Sequence, residues 1–101
     1  MVQGKWNITI NTPMGDKSGV LELHVSGATL TGSLSDADHR VEISHGRIEG
    51  NHLSWQARTL KPMRINFKFT AVVDHDRISG EARHLLGTAR FAGTRIAQTG
   101  S

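Results

Sequence analysis

The feature that most narrows the possible folds is an alternation of apolar and polar residues that runs through nearly the whole chain, broken only by short gaps. Eight runs carry it, at 5–11, 19–25, 28–35, 40–48, 52–59, 64–74, 77–84 and 88–96. Period two marks a strand with one face buried, and helical period is almost absent. The gaps, among them Ser26-Gly27, Glu49-Gly50-Asn51 and His75-Asp76, hold residues suited to tight turns. None has room for a crossover helix, so consecutive strands must run antiparallel. The expectation is an all-β chain. Closing it into an eight-stranded antiparallel up-and-down β-barrel removes both exposed sheet edges.

Alternation also assigns faces. Trp6, Ile8, Leu21, Leu23, Leu30, Leu34, Leu53, Trp55 and Ala57 fall inward, followed by Ile65, Phe67, Phe69, Ala71, Ile78, Ala82, Phe91 and Arg95. The outward set is rich in charge and includes Lys5, Glu22, His24, His52, Lys68, Arg77 and Arg83. The fourth run must change phase for Ile43 and Ile48 both to face inward, which predicts a β-bulge at His45-Gly46. Gly32, Gly80 and Gly93 interrupt the inward series and are expected to relieve crowding beside Trp6, Trp55 or Phe69. The stretches His45-Gly46-Arg47-Ile48 and His75-Asp76-Arg77-Ile78 echo one another, which reads as coincidence between turn-rich segments rather than duplication.

A chain of 101 residues suits one domain with one modest core, here 1–96, with the patternless residues 97–101 expected as a loose tail. The sequence has no Cys, which excludes disulfides, thiolate nucleophiles and Cys-ligated zinc. The first residues lack the apolar run of a secretion signal, and no apolar stretch approaches ~18 residues. A cytoplasmic protein without a membrane partner is expected. A net charge of +3, spread along the chain, gives no reason to expect nucleic acid. Outward Arg64, Lys68, Arg77, Arg83 and Arg90 form a basic stripe, but it lacks the outward aromatics on which single strands stack.

Gly4-Lys5-Trp6, with Arg95 near the end of the last run, resembles the opening and closing signature of the calycin superfamily of lipocalins and avidins. That resemblance implies Arg95 packed across Trp6 at the closed floor of the barrel, and pairing of barrels into a homo-oligomer. Leu30-Thr31-Gly32-Ser33 is similar to a run in avidins. Ile8 and Leu34, however, stand where avidins use polar contacts to biotin, and only Thr12 keeps a hydroxyl near the position of their loop Ser. A biotin ureido group would be stranded here. Along its full length the chain looks like a group of small bacterial barrel domains, through Thr12-Pro13-Met14-Gly15, Leu53-Ser54-Trp55, Ile78-Ser79-Gly80 and Phe91 with Gly93-Thr94-Arg95. These occur alone or appended to oxidoreductase-like and hydrolase-like chains, and the likeness implies no particular chemistry.

With the floor closed, function is expected at the opposite mouth, where apolar walls meet a few polar groups. The first reading is a binding module holding a small apolar or aromatic molecule in the lumen, among Met14, Leu34, Trp55, Met63, Ile65, Phe67, Phe69 and Phe91. A second is a small barrel enzyme of isomerase, cyclase or lyase type. There His84 or His39 would act as general base, and Arg58 would stabilise developing negative charge. A third is an oligomerisation or interaction domain with a filled core. No pair of His has the spacing that brings two imidazoles to one metal, so neither a metal site nor a cofactor is expected.

Overall fold

A computed structural model describes residues 2–12, 15–36, 39–59, 65–84 and 87–96, with the side chains of Thr12, Thr59 and Ile65 outside the description. The expected tail, 97–101, also lies outside it. The strands are β1 (Gly4–Thr12), β2 (Gly15–Ser26), β3 (Thr29–Ser35), β4 (Arg40–Glu42), β5 (Ser44–Glu49), β6 (His52–Thr59), β7 (Ile65–Asp74), β8 (Arg77–His84) and β9 (Gly87–Arg95). β4 and β5 are two halves of one barrel position: both pair with β3, and the Ile43 N–H between them donates to the Gly32 carbonyl at 3.0 Å. Every pairing is antiparallel between neighbours in sequence, and β9 returns to β1 to close the ring. The molecule is the eight-stranded up-and-down barrel that the alternation implies.

The predicted bulge is present. Ser44 pairs with Gln56 and Arg47 with Ser54, so His45 and Gly46 together face Trp55 alone. The extra residue moves the inward series from odd to even positions, leaving Ile43 buried and Ile48 half-buried against the core.

Three hairpins at the floor share one turn geometry. The β2–β3, β5–β6 and β7–β8 loops each have two residues, and in each the first has positive φ: 63° at Gly27, 63° at Gly50 and 56° at His75. This is the position where a type II′ hairpin takes glycine. His45, in the bulge, has φ 54°. The echo between the two His-x-Arg-Ile stretches is thus a shared local shape: a left-handed His, then Arg outward and Ile inward. A side chain in this region costs about 1–2 kcal/mol, against roughly 0.5–1 kcal/mol for the greater freedom of an unfolded glycine. His75→Gly is therefore expected to stabilise the protein by about 0.5–1 kcal/mol in urea unfolding. A loss of stability would mean that the His75 side chain contributes more than its backbone costs.

The interior glycines serve a different purpose from the one expected. A Cβ on Gly32 would lie 1.8 Å from the Glu22 carbonyl oxygen, and one on Gly80 would lie 1.9 Å from that of Thr70. On Gly93 it would lie 2.0 Å from the Asn7 carbonyl oxygen. The crowding comes mainly from the backbone of the adjacent strand, not from Trp6, Trp55 or Phe69. A small barrel must coil its sheet tightly, and these are points where strands approach too closely for a side chain.

The core follows the inward series, with Trp6, Ile8, Leu21, Leu23, Leu30, Trp55 and Ile78 at 0–2% exposure. Two further members are Val73, which continues the β7 alternation, and Val2, which precedes the first strand.

Candidate functional site

The two ends of the barrel differ in chemistry. At the floor, Trp6 pairs with Arg95 across β1 and β9, and the guanidinium carbon lies 4.3 Å from the indole centroid. Arg95 is held on two further sides: Nη1 donates to the Gln3 carbonyl at 2.8 Å and Nε to the Asp76 carboxylate at 3.0 Å. Trp6 Nε1 donates to the Val2 carbonyl at 3.1 Å, and the Gln3 side-chain oxygen accepts from the Val25 N–H at 3.0 Å. Residues 2 and 3 thus lie across the floor and are tied to strands on both sides. Gly4 has φ 140°, and a Cβ there would lie 2.8 Å from Arg95 Nη1, so the glycine of Gly-x-Trp makes room for the guanidinium. Every polar group named here has a partner. These contacts close the floor.

The lumen is different. The sequence has two Trp, three Phe and no Tyr, and all of them except Trp6 belong to one cluster. Trp55 stacks on Phe69, with centroids 5.1 Å apart and planes 11° from parallel. Phe91 meets the edges of both, at 6.1 Å from Trp55 and 5.7 Å from Phe69. Phe67 continues the row 6.1 Å from Phe69, and the His84 imidazole lies 5.2 Å beyond it. Such pairs contribute about 0.5–1.5 kcal/mol each beyond their buried area.

Burial is graded along this row. Trp55, Phe69 and Phe91 are 2–3% exposed, while Phe67 and His84, towards the open end, are half-buried. Leu34 on β3, Val41 on β4 and Ile10 on β1 are also half-buried and pack against the core. Burial of the cluster therefore falls off from Trp55 towards the mouth, where its outermost rings are half-exposed.

One polar atom does not fit this apolar cluster. Trp55 Nε1 is sealed from solvent and finds no hydrogen-bond partner among the described residues. An N–H left that way costs about 1–3 kcal/mol. The other indole, Trp6, is equally buried and fully satisfied, which makes it an internal reference.

The residues expected to carry function divide between the lumen, the mouth and the outer wall. Leu34, Trp55, Phe67, Phe69 and Phe91 share the lumen; Ile65 contributes its backbone to β7, and Met14 and Met63 lie outside the described residues. His84 packs on Phe67 at the mouth. His39 is exposed in the β3–β4 connection, where its N–H donates to the Asp36 carboxylate at 2.8 Å. Arg58 is exposed on the outer wall, its Nε donating to the Asn66 side-chain oxygen at 2.9 Å. Arg58 therefore does not join His84 inside the barrel. Its neighbour Ala57 is buried inward, so alternation turns Arg58 outward. In the turn Asp74-His75-Asp76, the Asp76 carboxylate is taken by Arg95, and His75 pairs with Asp74 in full solvent. No cluster of metal-ligating side chains forms among the described residues.

Two open concavities lie on the outer wall. One, about 530 Å³, is floored by β5 to β8 and lined by Arg47, Glu49, His52, Thr70, Val72 and Glu81, among others. The other, about 390 Å³, lies over β1 and β2 near Ser35 and Asp36. Neither reaches the aromatic cluster.

Fold and lumen together define a class: a small closed antiparallel barrel with an aromatic base inside. Among solved structures, the chain is similar to the redesigned β-barrel mFAP1, bound to DFHBI, with a TM-score of 0.70 at 13% identity over 94% of each chain. A second redesigned β-barrel matches with a TM-score of 0.69 at 8% identity, over 96% of this chain and 92% of that one. At these identities the likeness establishes the fold alone. No family model matches the sequence, and no curated protein does.

Proposed function

We propose that the protein is a binding module that takes a small, flat apolar or aromatic molecule into the mouth of the barrel, against Phe67 and the rings beneath it. The observation that carries this reading is the concentration of nearly all the aromatic surface of the chain in one graded row, buried at Trp55 and half-buried at Phe67 and His84. A barrel of eight strands can hold one small ligand. The redesigned barrel mFAP1, of the same architecture, is described as bound to DFHBI, which supports the reading by analogy. The Trp6–Arg95 floor supports kinship with calycin barrels in the same way.

The test uses naphthalene as a probe, followed by thermal unfolding and tryptophan fluorescence. Binding at about tenfold over Kd adds about 1.4 kcal/mol, equivalent to a rise of roughly 6 °C in Tm for a domain of this size. The rise should saturate, and Phe67→Ala should weaken binding about tenfold by removing most of a stacking face. Absence of any saturable rise, or a rise indifferent to Phe67→Ala, contradicts the reading.

A further inference from the structure

The proposed lumen site leaves one chemical question open, which is what the indole of Trp55 is for. Phenylalanine fills three other positions of the same cluster, at 67, 69 and 91. Tryptophan differs from it in a larger ring and in one donor, and here that donor is buried with no acceptor among the described residues. The ring is fixed on both sides, stacked on Phe69 and edged by Phe91, so it cannot turn its N–H to solvent without breaking two aromatic contacts. The N–H is covered in the free protein, so an acceptor reaches it only when an entering ligand shifts the rings that cover it. A ligand that does so gains a hydrogen bond that the core itself does not supply.

We infer that the lumen ligand is a neutral planar ring system carrying a hydrogen-bond acceptor, a ring nitrogen or a carbonyl oxygen, which accepts from Trp55 Nε1. This rests on the lumen reading above and narrows it. The buried part of the ligand is neutral because the described core offers it no countercharge: Ser33 is the only buried polar side chain among the described residues, and it lies opposite Glu22 and Glu42 on the outer face. Any charged or strongly polar substituent must project towards His84 at the mouth. A purely hydrocarbon ligand would bind but would leave the indole N–H unmet. The acceptor therefore sets selectivity, while the rings supply general affinity.

The experiment compares two probes of equal shape, naphthalene and quinoline, which differ by one acceptor nitrogen. In a ¹H–¹⁵N spectrum of the labelled protein, the two indole signals belong to Trp6 and Trp55 and are told apart by Trp55→Phe. Quinoline should move the Trp55 indole proton downfield of its position with naphthalene, and the Trp6 signal should stay in place. Trp55→Phe should cost quinoline about tenfold more affinity than it costs naphthalene, a ratio that cancels the difference in hydrophobicity between the probes. If both probes bind and the Trp55 proton responds equally to each, the acceptor inference is overturned and the lumen reading stands. The inference is overturned in the same way by a Trp55 proton that stays protected and unmoved, its N–H turned onto the face of Phe91. Failure of both probes to bind overturns the lumen reading and this inference with it. Should Trp55→Phe not fold, Trp6→Phe assigns the two signals instead, and the wild-type spectra then decide the question.

Discussion

Trp6→Ala is expected to destabilise the protein by about 3–5 kcal/mol, enough to leave a domain of this size close to unfolding. The side chain is fully buried, and its removal does more than open a cavity. The Val2 carbonyl loses its donor, and Arg95 loses the ring beneath its guanidinium. Of the hydrogen bonds that hold residues 2 and 3 at the floor among the described residues, those of Gln3 with Arg95 and with the Val25 N–H would remain, beside the burial of the Val2 side chain. Trp6→Phe separates these contributions: it keeps most of the volume, gives up the hydrogen bond to Val2, and should cost about 1–2 kcal/mol. Urea unfolding followed by the fluorescence of the remaining Trp55 measures the first, and far-ultraviolet circular dichroism measures both. A loss near 1 kcal/mol for Trp6→Ala would contradict the role assigned to the floor.

Gly80→Ala should rank next, at about 3 kcal/mol, although it adds one methyl group to an outwardly unremarkable strand. That methyl would lie 1.9 Å from the Thr70 carbonyl oxygen and 2.8 Å from the Ala71 Cα, both backbone atoms that cannot yield without separating β7 from β8. Gly27→Ala is the matched control. Nothing lies within 4 Å of its Cβ position, and only its φ of 63° opposes the change, so about 1 kcal/mol is expected. Equal losses at the two positions, read from denaturant midpoints, would show that conformational freedom rather than close approach explains Gly80.

The barrel is legible in the sequence because a period of two leaves little choice. Once the turns are too short for helices, neighbouring strands must pair, and the inward series names the core almost residue by residue. The bulge at His45-Gly46 is legible for the same reason, since Ile43 and Ile48 cannot share a face without an extra residue between them. Val2 is not, because its burial depends on residues 2 and 3 lying across the floor, where no alternation marks them. The crowding around Gly80 comes from the path of a neighbouring strand, which side-chain pattern does not encode.

The candidate site is legible in part. Alternation puts Trp55, Phe67, Phe69 and Phe91 inside, and the structure joins them into one cluster. Height along the barrel groups Arg58 with the mouth, whereas its place one residue after inward Ala57 sends it to the outer wall, against Asn66. The unmet N–H of Trp55 has no signature in the sequence at all. It depends on where every nearby acceptor points, and only the folded chain decides that.

If a flat ring enters the lumen above the aromatic cluster, a crystal structure of the protein grown with quinoline will show it there. Planar density is expected inside the mouth against Phe67, with centroids about 4.5–7 Å apart, and the ring nitrogen within about 3.2 Å of Trp55 Nε1. Density confined to the outer-wall groove near Val72, or a lumen filled to the mouth by the protein's own side chains with no ring inside, would contradict it.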